Sequence, residues 1–264
     1  MTTLTPTGAR SGYDSHPVRD TWNVFRRELQ PVLHDPFSSI FSLLQPIVFL
    51  GLFGPLLIGS SGEPAPQVLA WFVPGILVMI ALFGTSATGS NLLYEMQTGS
   101  HERTLVAPIA RSALPVGRAL KEMVPIIVQA AVIALVTVPF GFRPNLAGMV
   151  VSLILVALFG VGFGALSYAL ALASRTKDWM FWAVQQALIF PLMILSGMLL
   201  PIEDGPGWMR VAASLNPISH VVGATRALFA GDVGAPVVLG GFLAAGALAV
   251  VGLWVGIAAM KKSH

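Results

Sequence analysis

Six long apolar stretches run through the chain, at residues 37–58, 68–93, 114–140, 146–173, 180–200 and 233–260. A helix rises about 1.5 Å per residue, so about 20 apolar residues cross a hydrocarbon core about 30 Å thick. Lipid offers no hydrogen-bond partners, so a spanning segment must satisfy its own backbone groups, which a helix does. The chain therefore reads as an all-α integral membrane protein with six transmembrane helices. Charged residues make up 10% of it, against about 25% in a soluble domain. Two parts are expected: a cytoplasmic N-terminal arm, 1–36, and a membrane domain, 37–262. The arm carries Arg10, Arg19, Arg26 and Arg27 but no apolar run, so no cleavable signal peptide is expected and the first span is expected to direct insertion.

Orientation follows from Lys and Arg, which concentrate in loops retained in the cytoplasm. With the N-terminus inside, twelve of the 15 Lys and Arg fall inside, and Arg143, Arg210 and Arg226 fall outside. Both termini are then cytoplasmic. The excess of Arg over Lys, 11 to 4, hints at a GC-rich bacterial source and hence a bacterial plasma (inner) membrane.

Within the arm, Val18, Trp22, Phe25, Leu29, Val32 and Leu33 fall on one helical stripe. Arg19 and Arg26 border it, and Arg27 and Glu28 lie further round. This pattern suits an interfacial amphipathic helix with Trp at the headgroup level and Arg snorkelling to water, or an ordinary juxtamembrane anchor. Pro31 and the Asp35-Pro36 pair should kink or end it before the first span. Gly160 with Gly164, and Gly252 with Gly256, each form a GxxxG spacing. Such pairs let helix backbones approach closely, and packing within one subunit is the expected use.

Much chemistry is excluded. No span carries an ionisable residue at mid-membrane, since Glu95 and Glu122 sit at cytoplasmic ends. That argues against a proton-driven transporter and a charged-ring channel. Ser196 sits in Ile194-Leu195-Ser196-Gly197, which lacks the first glycine of a GxSG nucleophile motif, and no HExxH helix occurs. With no cysteine, no thiolate metal site exists and no metal is expected. No GxxxxGK[ST] phosphate loop is present, so the chain is not expected to bind and hydrolyse ATP in the usual P-loop way. A net charge of +3 is too small to suggest nucleic acid. If transport is active, its energy must come from another polypeptide, which needs a docking surface. The loop 94–108 mixes charges with Met96, Leu105 and Val106 and suits a short helix against a partner. On composition alone it also reads as a solvated, positively charged loop.

The residues from Glu95 to Arg111 resemble the cytoplasmic loop of type-2 ABC exporter permeases, close to E-x-x-x-G-T-x-E-R-x-L-x-x-P. Glu95, Gly99, Glu102, Arg103, Leu105 and Pro108 keep that pattern, with Ser100 in place of Thr. Two further regions resemble permeases of the daunorubicin-resistance type. One is Arg27-Glu28-Leu29, Asp35-Pro36 and Gln45-Pro46-Ile47; the other runs from Pro191 through Ser196-Gly197, Pro201, Trp208 and Asn216-Pro217 to Arg226.

The resemblance implies a coupling helix after the second span that seats in a cleft of a separate ATPase, with Glu95, Gly99, His101, Glu102, Arg103 and Leu105 as its coupling residues. It implies that the interfacial helix, with Trp22, Phe25, Arg26, Arg27 and Glu28, also touches that ATPase. Between the fifth and sixth spans it implies a re-entrant or external helical segment. Two permeases, most simply a homodimer, would pair above two ATP-binding subunits, which hold ATP and Mg. The implied activity is export of hydrophobic or amphipathic drugs or lipid-like molecules. The conduit candidates are Gln45, Phe49, Phe53, Thr85, Ser86, Thr88, Asn91, Gln185, Gln186 and Met193, though each polar one can equally join helices by hydrogen bonds. Alternatives are a polysaccharide or glycolipid exporter, which would want more aromatic lining than three Tyr provide, and a membrane enzyme or ATP-independent channel.

Overall fold

The structure is a computed structural model that describes residues 16–100, 110 and 112–262. The helices among these residues are α1 (Pro17–His34), α2 (Pro36–Ser61), α3 (Ala65–Gln97), α4 (Ala113–Lys121), α5 (Met123–Thr137), α6 (Leu146–Ala173), α7 (Asp178–Leu195), α8 (Gly207–Leu215), α9 (Pro217–Ala230) and α10 (Pro236–Lys262). Six candidate membrane spans result: Phe41–Ser61, Ala65–Gln97, Ala113–Phe140, Leu146–Ala173, Asp178–Leu195 and Pro236–Lys262. The all-α, six-span architecture expected from the apolar pattern is the one observed. The expected coupling helix falls largely on residues 101–109, outside the described residues.

Local chemistry explains where the spans depart from their expected limits. α3 continues past Leu93 to Gln97, 33 residues in all. It stops where Gly99 takes φ +69°, a left-handed conformation that glycine adopts at no steric cost. The fifth span ends at Leu195, five residues short of the expected limit. There the Ser196 hydroxyl turns back onto the Met193 carbonyl at 2.6 Å, and Gly197 reverses the chain with φ +71°. The third span is broken at Glu122. Pro125 has no N–H to offer the Lys121 carbonyl, so the ladder lapses at that turn. Between α1 and α2 the chain breaks at Asp35, ahead of Pro36.

α3 lies at the centre of the bundle, with Phe72, Val73, Ile76, Leu77, Val78 and Leu82 fully buried. Around it pack α2, α5, α6 and α9, with α10 against α6. The α6–α10 crossing depends on glycine. A Cβ on Gly162 would stand 2.6 Å from the Ala249 nitrogen, and one on Gly252 would collide with the Gly162 carbonyl. Gly160 and Gly164 instead face Ile126, Thr85 and Thr88. Both GxxxG pairs thus serve close packing inside one subunit. α8 and α9 form a helical hairpin between the fifth and sixth spans, as the resemblance implied.

Arg226, expected as an external loop charge, is instead tucked into this hairpin's base. Its Nε and Nη2 donate to the carbonyls of Trp71 (3.0 Å) and Gly197 (2.8 Å), and its guanidinium lies 4.0 Å from the centre of the Trp71 ring. The long apolar stem and planar head let arginine be covered in this way.

Candidate functional site: a buried charge hub at the basal end

The ends of α3, α6 and α10 and the starts of α4 and α7 gather at one end of the bundle, here called basal. α1 lies across it. The sequence ALPVGRALK of α4 places Arg118 between Gly117 and Ala119. These small neighbours let α1 settle on α4: a Cβ on Gly117 would sit 2.7 Å from the Val24 side chain. The face of α1 that packs is not its apolar stripe. It is Asp20, Val24 and Glu28, one helical turn apart each, with Asp20 2% exposed. Val18, Trp22 and Leu33 remain exposed. Trp22 stacks on Phe25 at 5.2 Å, Arg26 is exposed, and Arg27 pairs with Glu28 at 3.4 Å.

Arg118 is 3% exposed and collects three elements. Its Nη2 donates to Glu95 of α3 through a short ion-paired bond and to Glu28 of α1 at 3.4 Å. Its guanidinium carbon lies 5.7 Å from the ring centre of Tyr168 on α6. The Tyr168 hydroxyl in turn reaches the Met260 sulfur of α10 at 3.6 Å. Arginine stays ionised in any protein setting and presents a rigid fork, which suits a junction of carboxylates. Its Nε is buried without a hydrogen-bond partner, and an unmet donor of this kind adds to the cost of holding the junction closed.

Three further polar links surround the hub. Asp20 accepts the Ala110 backbone N–H at 2.9 Å, pinning the chain just after residues 101–109. Glu122 accepts the Thr88 hydroxyl at 2.8 Å and pairs with Lys121 at 3.0 Å. Gln97, at the end of α3, donates to Asp178, at the start of α7, at 2.6 Å. Deeper in, Ser167 of α6 accepts the Gly89 N–H at 3.2 Å. Its own proton is shared between the Ser86 carbonyl at 3.1 Å and Gln185 Oε1 at 3.2 Å.

Of the expected coupling residues, Glu95 belongs to the hub and Gly99 ends α3; His101, Glu102, Arg103 and Leu105 lie outside the described residues. The conduit candidates separate into groups. Thr85 and Ser86 turn their hydroxyls onto the Ala81 and Leu82 carbonyls of their own helix, at 2.6 and 2.9 Å. Thr88 is engaged with Glu122. Phe49 and Phe53 stack at 5.4 Å, half-buried against the core. Met193 is buried and Gln186 exposed. Gln185, with Ser167, supplies the side-chain polarity of an otherwise apolar cavity of about 500 Å³ between α6, α7, α9 and α10. Gln45 and Asn91 line a different groove, between α2, α3 and α5. Sequence reasoning counted Arg118 and Lys121 among the loop charges, gave Asp20 no role, and missed the hub. The available signal was an arginine and a lysine on a short helix that is otherwise Ala, Leu, Pro, Val and Gly.

Residues 19–230 match the family described as ABC-2 type transporter. The chain is 26% identical over 210 residues to the daunorubicin resistance ABC transporter permease protein DrrB1 of Streptomyces coeruleorubidus, covering 79% of this chain and 74% of that one. It is 30% identical over 222 residues to a putative transport permease, ycf38, of Cyanophora paradoxa, covering 80% and 74%. It is 26% identical over 167 residues to the probable multidrug ABC transporter permease YbhR of Escherichia coli K12, covering 61% and 44%. An α-helical bundle with six apolar spans, without an ATP-binding motif of its own and matched over most of its length, belongs to the ABC-2 type transporter family as a multi-pass membrane permease that pairs with a separate ATP-binding subunit.

Proposed function

We propose that this permease exports hydrophobic or amphipathic drugs or lipid-like molecules across a bacterial plasma membrane, as a homodimer served by two ATP-binding subunits that carry ATP and Mg. In this reading the basal end is cytoplasmic. The observation that carries it is the Arg118 hub. It ties α1 and the end of α3 to α4, and Asp20 holds the chain on the far side of residues 101–109. A push on that loop from a closing ATPase would reach α1, α3, α6 and α10 through one buried junction. The daunorubicin and multidrug names of the relatives support the substrate class, as does the uncharged lining of the cavity beside Gln185.

Coupling of this kind requires an element with two arrangements that both ATP and substrate bias. The spans α2 and α7 are the natural moving parts: α2 is the least buried of the six, and α7 is no more buried than α10 but lacks the backbone-to-backbone glycine crossing that fixes α10 to α6. They are also the surfaces offered to a second copy. The ATPase, gripping the loop after α3 through Glu102 and Arg103, would shift these spans against the glycine-packed body and open a path between copies.

The test is reconstitution with the ATP-binding subunit in liposomes, reading ATP hydrolysis and efflux of an amphipathic dye together. Glu102→Ala and Arg103→Ala should insert normally, keep the dimer and lose coupled efflux. An interfacial charge truncated from a buried pair costs about 2–5 kcal/mol, a solvated one under about 1 kcal/mol. Wild-type efflux and ATPase binding in both variants would remove the loop from the mechanism.

A further inference from the structure

The cavity of about 500 Å³ between α6, α7, α9 and α10 has a definite depth. On α10 its wall runs from Leu248 through Val255 to Ala259, and on α6 from Phe163 through Leu170 to Ala173. Such a stretch of helix covers about 16 Å, close to half of a hydrocarbon core about 30 Å thick. Ala173 ends α6, and Ala259 stands just before the end of α10. The cavity therefore occupies the basal half of the bundle, with its mouth at the basal edge and Leu192, Pro217 and Ile218 as its roof. Ser167 and Gln185, the polar side chains of the wall, are bonded to each other, and the rest of the wall is apolar.

The mouth is basic. Val255, Ala259 and Lys262 stand at i, i+4 and i+7, so Lys262 continues the cavity face of α10 one turn further down. Lys261 is its neighbour. Lys177 lies in the turn that follows Ala173, where its N–H closes on the Ser174 carbonyl at 2.9 Å. All three lysines are exposed, and none is ion-paired among the described residues. Arg175, in the same turn, is already engaged. The carboxylate beside them, Asp178, accepts from Gln97, and three ammoniums outweigh it even if that bond opens. We propose that the cavity holds an acyl chain of one anionic phospholipid of the basal leaflet, with its phosphate head gripped by Lys262, Lys261 and Lys177. The depth is that of one leaflet and the walls suit methylene groups. Basic side chains at the end of a gap between spanning helices attract anionic head groups. The long lysine stem lets the ammonium reach the phosphate while its own methylenes stay on the apolar rim. A zwitterionic head brings a cation of its own toward the lysines and gains less. The proposal does not rest on the export reading, since its ligand is a component of the bilayer and needs only the membrane and the basal charges.

The test is lipid retention. The full chain is reconstituted in bilayers of equal parts phosphatidylglycerol and phosphatidylcholine with the same acyl chains, released into mild detergent and weighed by native mass spectrometry. One phosphatidylglycerol per subunit should be the last lipid to leave, favoured about tenfold over phosphatidylcholine, or about 1.4 kcal/mol of differential affinity. Lys262→Gln and Lys177→Gln should each lower its retention about fivefold, and the two together should abolish the preference. Ala173→Trp keeps every charge but fills the mouth, and should release the lipid. Arg143→Gln removes a cation at the opposite end of the bundle and should change nothing. The substituted residues are all exposed, so the variants keep the fold. Equal retention of the two lipids, a preference that survives the loss of both lysines, retention indifferent to Ala173→Trp, or an equal loss in Arg143→Gln would overturn the proposal.

Discussion

α3 and α2 are adjacent spans of similar hydropathy, yet most of the apolar stretch of α3 is buried inside the subunit and little of that of α2. α7 and α10 lie between, each little buried, but α10 crosses α6 backbone to backbone, whereas α7 is held at its basal end by Phe181 against Gly89 and by Asp178 to Gln97. The difference lies in how backbones meet. Around α3 and α6 the approach is set by glycine: Gly75 lies against the Met198 backbone, Gly89 against Ser167 and Phe181, and Gly162 against α10. On α2, Gly51, Gly54 and Gly59 face nothing within 4 Å. Hydropathy says only that both segments belong in lipid. The placement of small residues against neighbours separates a fixed body from spans that remain available to lipid, to a second copy or to motion.

The largest expected effect breaks the fixed body at its base. Arg118→Leu leaves Glu28 and Glu95 without their buried partner and should cost about 3–5 kcal/mol, read as a large fall in melting temperature in detergent. The triple change Arg118→Leu with Glu28→Gln and Glu95→Gln should recover most of that loss, because the uncompensated charges go with the arginine. A triple variant as unstable as the single one would mean that Arg118 acts through packing rather than charge.

A matched pair of substitutions tests the contrast itself. Gly252→Leu forces a side chain into the Gly162 backbone and should cost about 1–3 kcal/mol or more, or abolish expression. Gly51→Leu, with open space beside it, should leave the isolated subunit's melting temperature within a degree or two. Equal effects would dissolve the distinction between body and loose span. The smallest expected effect is at the seam between them. Gln129 donates to Ser42 of α2 at 2.7 Å, and Gln129→Ala should cost about 0.6 kcal/mol, the average for an interhelical hydrogen bond in a membrane.

How much of this was legible beforehand follows the physics of each signal. Span number and approximate limits were readable because an apolar run must match the bilayer. The break at Asp35-Pro36 was readable because proline constrains the residue before it. The fate of individual charges was not. Arg118, Arg226 and Asp20 look like ordinary charges in a linear string, and only the tertiary approach of Glu95, Trp71 and Ala110 shows that Arg118 and Asp20 are buried, that Arg226 is half-buried, and that each is hydrogen-bonded. Likewise Thr85 and Ser86 read as polar groups available to a substrate, but a hydroxyl in a helix can bond the carbonyl one turn back. Which face of α1 would pack on the subunit was not legible either: the conspicuous apolar stripe reads as a surface for the membrane interface, and the seam on α4 uses Asp20, Val24 and Glu28.

The central claim is that α2 and α7 move against a static, glycine-packed body when the ATP-binding subunits close. It is tested most directly by electron spin distances in the reconstituted complex. A single label at Leu56→Cys, 67% exposed on α2, reports the separation of α2 between copies. Labels at Val150→Cys and Val250→Cys, 55% and 70% exposed on α6 and α10, report the body. On adding ATP with a hydrolysis-deficient partner, the α2 distance should shift by several ångströms while the α6–α10 distance within a subunit stays unchanged. An α2 distance indifferent to ATP, or an α6–α10 distance that changes as much, would contradict the account.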